Sequence, residues 1–143
     1  MATDEMKSKF EGKWKLYKND NIDAFFSDVG VNFLVRKMIA AGSPTQTITI
    51  NDDSVKIDVD AGFRKREDVV KLNVEEDKTT ENGEPGKMMA TYEDGKIKFV
   101  QTPNDPKSTV TTMIREREGE ELVLVMIRHK NPEIVAKRWF KRL

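Results

Sequence analysis

Apolar and polar residues alternate with period two along most of this chain, the spacing of a strand with one buried face. The pattern is cleanest in Gln46-Thr47-Ile48-Thr49-Ile50 and Val55-Lys56-Ile57-Asp58-Val59-Asp60, which flank the turn Asn51-Asp52-Asp53. Phe10–Leu16 alternates as well and reads as the first strand, with Phe10, Gly12, Trp14 and Leu16 on one face. Phe63–Leu72 and Val74–Thr80 give weaker strands, followed by the turn Glu81-Asn82-Gly83-Glu84-Pro85-Gly86. Lys87–Tyr92 and Lys96–Gln101 flank a hairpin turn, Glu93-Asp94-Gly95. Three strands close the chain: Val110–Arg117, Leu122–Arg128 and Ile134–Arg142. This is about ten short strands at the spacing of a sandwich or barrel. Antiparallel strands joined by tight turns can close into an up-and-down barrel, which removes exposed edges.

Helical spacing occurs in one region, after the first strand. Asn21 is placed to cap a helix carrying Ile22, Phe25, Phe26 and Val29, with Asp23 in its first turn and Gly30 as its stop. A second helix is expected from Asn32 to Ala41, ended by Gly42 and Pro44. A helix pair inserted once into a barrel reads as a lid over one end. Arg36 and Lys37 make a small basic spot on the second helix, ordinarily a solvated face.

Two arginines stand in the closing strands. Period two groups Arg115 with Met113, and Arg138 with Ile134, Ala136 and Phe140. A buried guanidinium is costly unless an anion or strong acceptors meet it. Alternation alone leaves open whether these two face inward or toward solvent. Leu122–Ile127 is apolar throughout, so it does not reveal its inner face.

The 143 residues suffice for one domain with a single core. The 25 basic and 25 acidic residues cancel without a long basic run, which argues against nucleic acid as a partner. Charged residues are 35% and hydrophobic residues 37%, which suits a thin shell around a cavity and equally a highly charged surface. There is no cysteine, and the one histidine, His129, supplies neither a metal cluster nor a triad. No phosphate loop or nucleophile elbow is present. Glu75, Glu76 and Asp77 read as a solvated strand edge. No catalysis, cofactor or metal is expected. With no signal-like start and no membrane-length apolar run, a soluble cytoplasmic protein is the expectation.

These residues resemble the intracellular fatty-acid-binding proteins, a branch of the small lipid-binding barrels that includes cellular retinoid binders. Phe10-x-Gly12-x-Trp14-Lys15-Leu16 is similar to the family's opening strand and Asn21-Ile22-Asp23-Ala24-Phe25 to its first helix, where Ile22 stands in place of a usual aromatic. Val29-Gly30-Val31-Asn32-Phe33 with Arg36-Lys37 is similar to its helix-turn-helix. Phe63 fits a portal position, Gln101 a pocket position and Arg115 the first carboxylate-binding arginine. Arg138-Trp139-Phe140 matches the family's closing Arg-x-Tyr except that Phe140 lacks the hydroxyl. The loop around Pro103–Pro106 and the turn His129–Glu133 are longer than the family's, and neither is expected to reach the pocket. The resemblance implies a mainly β fold, a ten-stranded antiparallel up-and-down barrel with a helix-turn-helix lid after the first strand. It implies Arg115 and Arg138 as carboxylate-binding residues. It also implies a pocket wall of Ile22, Phe26, Val31, Met38, Ile57, Phe63, Phe99, Gln101, Leu124, Met126 and Phe140. The implied function is reversible, non-covalent binding of long-chain fatty acid for intracellular transport or buffering. The alternative is a retinoid or other bulky hydrophobic carboxylate. A monomer is expected, with transient membrane contact through the lid.

Overall fold

Ten antiparallel strands form one sheet that curls into a nearly closed barrel, with three helices at its ends. The computed structural model describes residues 2–79 and 83–143. Along the chain lie α1 (Ala2–Phe10), β1 (Gly12–Asp20), α2 (Ile22–Val29), α3 (Phe33–Ala41), β2 (Thr45–Asn51), β3 (Ser54–Asp60), β4 (Lys65–Lys71) and β5 (Glu76–Thr79). They are followed by β6 (Pro85–Glu93), β7 (Lys96–Pro103), β8 (Thr111–Glu118), β9 (Glu121–Arg128) and β10 (Ile134–Arg142). Sheet order is β4-β3-β2-β1-β10-β9-β8-β7-β6-β5, so each strand pairs with its chain neighbour except β4 and β5, which are the two edges of the sheet, and β1 pairs with β10. Thr80, expected at the end of a strand, and Glu81 and Asn82 of the following turn lie outside the described residues.

Two expectations change at the N-terminal end. Phe10 is the last residue of a helix, not the first of a strand, and this helix precedes β1, so the helices are not confined to the insertion after it. Met6 and Phe10 are spaced i,i+4, one helical face, and both are buried. The alternation read from Phe10 through Leu16 joins a helix end to a strand start, because Phe10 and Trp14 happen to share one core. The junction is fixed by Trp14 Nε1, which donates to Phe10 O at 2.9 Å. Gly12 has φ 137°, and a Cβ there would stand 2.7 Å from Arg142 Nη1. Glycine thus lets Arg142 reach Glu11 O, at 2.6 Å.

Helix α1 covers one end of the barrel and packs on β2. Glu5 accepts from Tyr92 Oη on β6 and pairs with Lys9 at 3.4 Å. Burial first, then this bond to Glu5, pushes the Tyr92 hydroxyl up to about 12.

At the other end, α2 and α3 differ. Ile22, Phe25, Phe26 and Val29 of α2 are buried, with Phe25 and Phe26 in edge-to-face contact at 5.2 Å. No residue of α3 is buried. Asn21 does not cap α2 with its side chain. Its backbone is left-handed, φ 57°, and its amide instead donates to Val135 O at 2.9 Å on β10. Asn32 does cap α3, accepting from Val35 N at 3.0 Å. Gly30 takes φ 102° at the joint, as a helix stop requires.

Candidate functional site

The central cavity opens beneath α3. It is lined by Phe26, Val31, Met38, Ile39, Val59, Phe63, Met113, Leu124, Met126 and Phe140, with Gln46, Arg66, Arg115 and Arg138 as its polar groups beside the Arg64 rim. The free space is about 140 Å³, below the ~300–1,000 Å³ of pockets that enclose drug-sized ligands. A long acyl chain therefore requires the wall to yield. With no buried residue, α3 is the element whose displacement costs least apolar burial.

Arg115 and Arg138 belong to one cross-strand row. Leu124 of β9 is opposite Arg115 on β8 and opposite Arg138 on β10. Two strand spacings, about 10 Å, separate the two backbones, and both side chains are buried, at 5% and 9% exposure. Arg115 Nε donates to Gln46 Oε1 at 2.9 Å, and its guanidinium lies 5.4 Å from the Phe99 ring centroid. Arg138 Nε donates to Asn19 Oδ1 at 2.8 Å. Gln46 and Asn19 are both neutral amides. The site thus presents two cations to an apolar space, held in place by neutral amides.

Of the residues singled out in the sequence, Phe26, Val31, Met38, Phe63, Leu124, Met126, Phe140, Arg115 and Arg138 surround this cavity. Ile22, Ile57 and Phe99 do not line it. They are packed in the core, where neighbouring side chains fill the space, and Phe99 supports Arg115. Gln101 also lies elsewhere. It lines a separate polar pocket with Asp28, Glu84, Lys107, Thr111, Arg128 and Lys130, under the end of α2. The long loop after β7 reaches that polar pocket through Lys107 and Ser108 and does not line the central one. Gln46, Met113 and Arg66 were missed. Gln46 shares alternation with Ile48 and Ile50, which was a readable signal. Arg66 had none, because β4 carries charge on both faces.

Phe33, Leu34, Met38 and Phe63 are exposed around the cavity mouth. Arg36 and Lys37 lie 5.8 and 5.1 Å from the Phe33 ring. Among the described residues, no group of His, Asp or Glu could hold a metal ion, and no helix is long and apolar enough to cross a membrane.

The family model described as the lipocalin / cytosolic fatty-acid binding protein family matches residues 11–131. A Caenorhabditis elegans protein named fatty acid-binding protein homolog 5 is 30% identical over 134 residues, covering 94% of this chain and 96% of its own. A Schistosoma japonicum protein named fatty acid-binding protein is 32% identical over 136 residues, covering 95% and 99%. The solved structure of a Schistosoma mansoni fatty acid binding protein in complex with arachidonic acid is similar with a TM-score of 0.82 at 29% identity, covering 94% of this chain and 96% of that one. A barrel with this strand order, and relatives aligned nearly end to end, place the chain in a family: it belongs to the lipocalin / cytosolic fatty-acid binding proteins.

Proposed function

We propose that the protein binds a long-chain fatty acid reversibly and without a covalent bond, for transport or buffering inside the cell. The carboxylate lies against Arg115 and Arg138, and the acyl chain lies along Phe26, Met38, Leu124, Met126 and Phe140. The row Arg115–Leu124–Arg138 carries this reading, since it sets two buried cations beside one apolar side chain on the cavity wall. Charge-assisted hydrogen bonds there are stronger than their solvent-exposed counterparts, because water does not compete. Relatives named for fatty-acid binding, one of them solved with arachidonic acid, support the same reading.

The exposed Phe33, Leu34, Met38 and Phe63, with Arg36, Lys37 and Arg64 nearby, suit brief contact of the cavity mouth with an anionic membrane surface. Ligand would enter and leave there as α3 moves aside.

Calorimetric titration with oleate and with oleyl alcohol tests the carboxylate reading. The acid is expected to bind at least about tenfold more tightly, the worth of one charge-assisted hydrogen bond. Equal affinities would mean that the arginines do not read the head group.

A further inference from the structure

Gln101 lines the polar pocket under the end of α2 and not the central cavity. Its side chain is 3% exposed, and its Nε2 is buried without a hydrogen-bond partner among the described residues. A buried donor left unmade is costly, so a position that keeps one points to something that meets it.

Gln101, Thr111 and Arg128 are successive cross-strand partners on β7, β8 and β9. They form a polar row at the α2 end of the barrel. The next inward row, Phe99, Met113 and Met126, is apolar and lies between them and the row of Arg115 and Arg138. The two cavities share no lining residue. The free space in the polar pocket is about 210 Å³, the volume of roughly seven waters at ~30 Å³ each. Both stretches that read as longer than the family's reach it. Pro103 and Lys107 come from the loop after β7, and Lys130 comes from the turn after β9.

The pocket's two carboxylates already have partners. Asp28 accepts from Arg128 and Lys130, and Glu84 accepts from Ser108 Oγ at 2.9 Å. Lys107, Arg128 and Lys130 outnumber these carboxylates by one charge. What stays unspent is chiefly donors. Gln101 offers its amide. Thr111 Oγ1 accepts from Arg128 Nη1 at 2.9 Å, so its own hydrogen is free to donate. Lys130 carries three N–H groups, of which Asp28 takes one. Lys107 adds an ammonium from the loop. These donors come from the sheet, from a loop and from a turn, so they meet the space from three elements. A carboxylate presents two oxygens in one plane, whereas a phosphate presents oxygens tetrahedrally and can accept from all three.

We propose that this pocket is a second binding site, for a phosphate group, with Gln101, Thr111, Lys107 and Lys130 as its donors. The phosphate is either a free anion or the headgroup of a lipid. The site does not depend on fatty-acid binding, so oleate binding without phosphate binding sinks this inference alone.

The test is calorimetric titration of the full chain at constant ionic strength with inorganic phosphate, glycerol phosphate and acetate. Flotation with phosphatidylcholine vesicles, with and without phosphatidic acid, probes the lipid source. Phosphate is expected to bind at least about tenfold more tightly than acetate, and Gln101→Leu to weaken it about tenfold, the worth of a hydrogen bond to a charged group. Lys107→Ser, on an exposed loop, should also weaken phosphate while leaving oleate affinity unchanged. It decides the matter if Gln101→Leu does not fold. Binding seen only with phosphatidic acid vesicles, and lost in these variants, supports the site with a lipid headgroup as its source. The inference is overturned if no phosphate compound binds, if acetate binds as tightly, or if both variants bind phosphate like wild type.

Discussion

Asp28, next to last in α2, accepts a hydrogen bond from Arg128 Nε of β9 at 2.7 Å, across 100 residues of chain. Lys130 Nζ reaches its other oxygen at 2.6 Å, and Arg128 also donates to Thr111 Oγ1 at 2.9 Å. Both partners of the central pair are about nine-tenths buried, so this is a clasp between the core helix and the barrel and not a surface pair. Asp28→Ala leaves Arg128 buried without its counter-charge. It is expected to lower stability by about 3 kcal/mol, measured by urea unfolding, and to speed ligand release. A loss under about 0.5 kcal/mol would mean that the clasp behaves like an exposed ion pair.

The same carboxylate sets a pH dependence. Burial pushes the Asp28 carboxyl up, but the hydrogen bonds from Lys130 and Arg128, with their charges, outweigh it and hold it below its ordinary value. A carboxyl depressed in the folded state contributes stability above its unfolded pKa of about 4, and loses it as pH falls through the folded value. The stability gap between wild type and Asp28→Asn should therefore stay level near neutrality and narrow below about pH 4. Urea midpoints measured over that range check this, and a gap that stays constant in acid assigns the effect to another group.

Arg138 is the sharper probe of the head-group reading, because Phe140 beside it offers no hydroxyl to share the anchoring. Arg138→Leu is expected to weaken oleate by about tenfold or more, and oleyl alcohol much less. Without ligand the variant should be at least as stable as wild type, since a buried cation has been removed. Equal losses for acid and alcohol would rule out carboxylate recognition by Arg138.

Phe10 tests the role of α1 as a barrel cover. It is fully buried, and its carbonyl holds the Trp14 indole. Phe10→Ala is expected to cost about 3–5 kcal/mol and to alter the near-ultraviolet dichroism of Trp14. A spectrum and an unfolding midpoint like those of wild type would show that α1 is dispensable.

Helix α3 should behave in the opposite way. Phe33→Ser with Leu34→Ser removes exposed apolar surface, so stability should change by no more than about 0.5 kcal/mol. Transfer of a fluorescent fatty acid to anionic vesicles should slow. Unchanged transfer would locate the membrane contact elsewhere or remove it from the mechanism.

The sequence by itself determined the strands wherever one face is apolar and the other polar. Thr45–Asn51 and Ser54–Asp60 were legible because a half-buried strand must alternate. Strand count and turn spacing pointed to a barrel, and the resemblance carried by Val29–Phe33, Arg115 and Arg138–Phe140 pointed to its ten-stranded form and to the two arginines. What alternation could not decide was the inner face of β9, apolar throughout, and of β4, charged on both sides. Register settled both: Leu124 falls between Arg115 and Arg138, and Arg66 falls opposite Val59. Nor could spacing separate core from cavity wall. Ile57 and Phe99 fall on alternate positions of their strands just as Phe140 does, yet whether an inward side chain meets another side chain or open space depends on what arrives from distant strands. The division between α2 and α3 has the same origin. Both are amphipathic in sequence, but the barrel mouth accepts one apolar face, and α2, clasped through Asp28, takes that place.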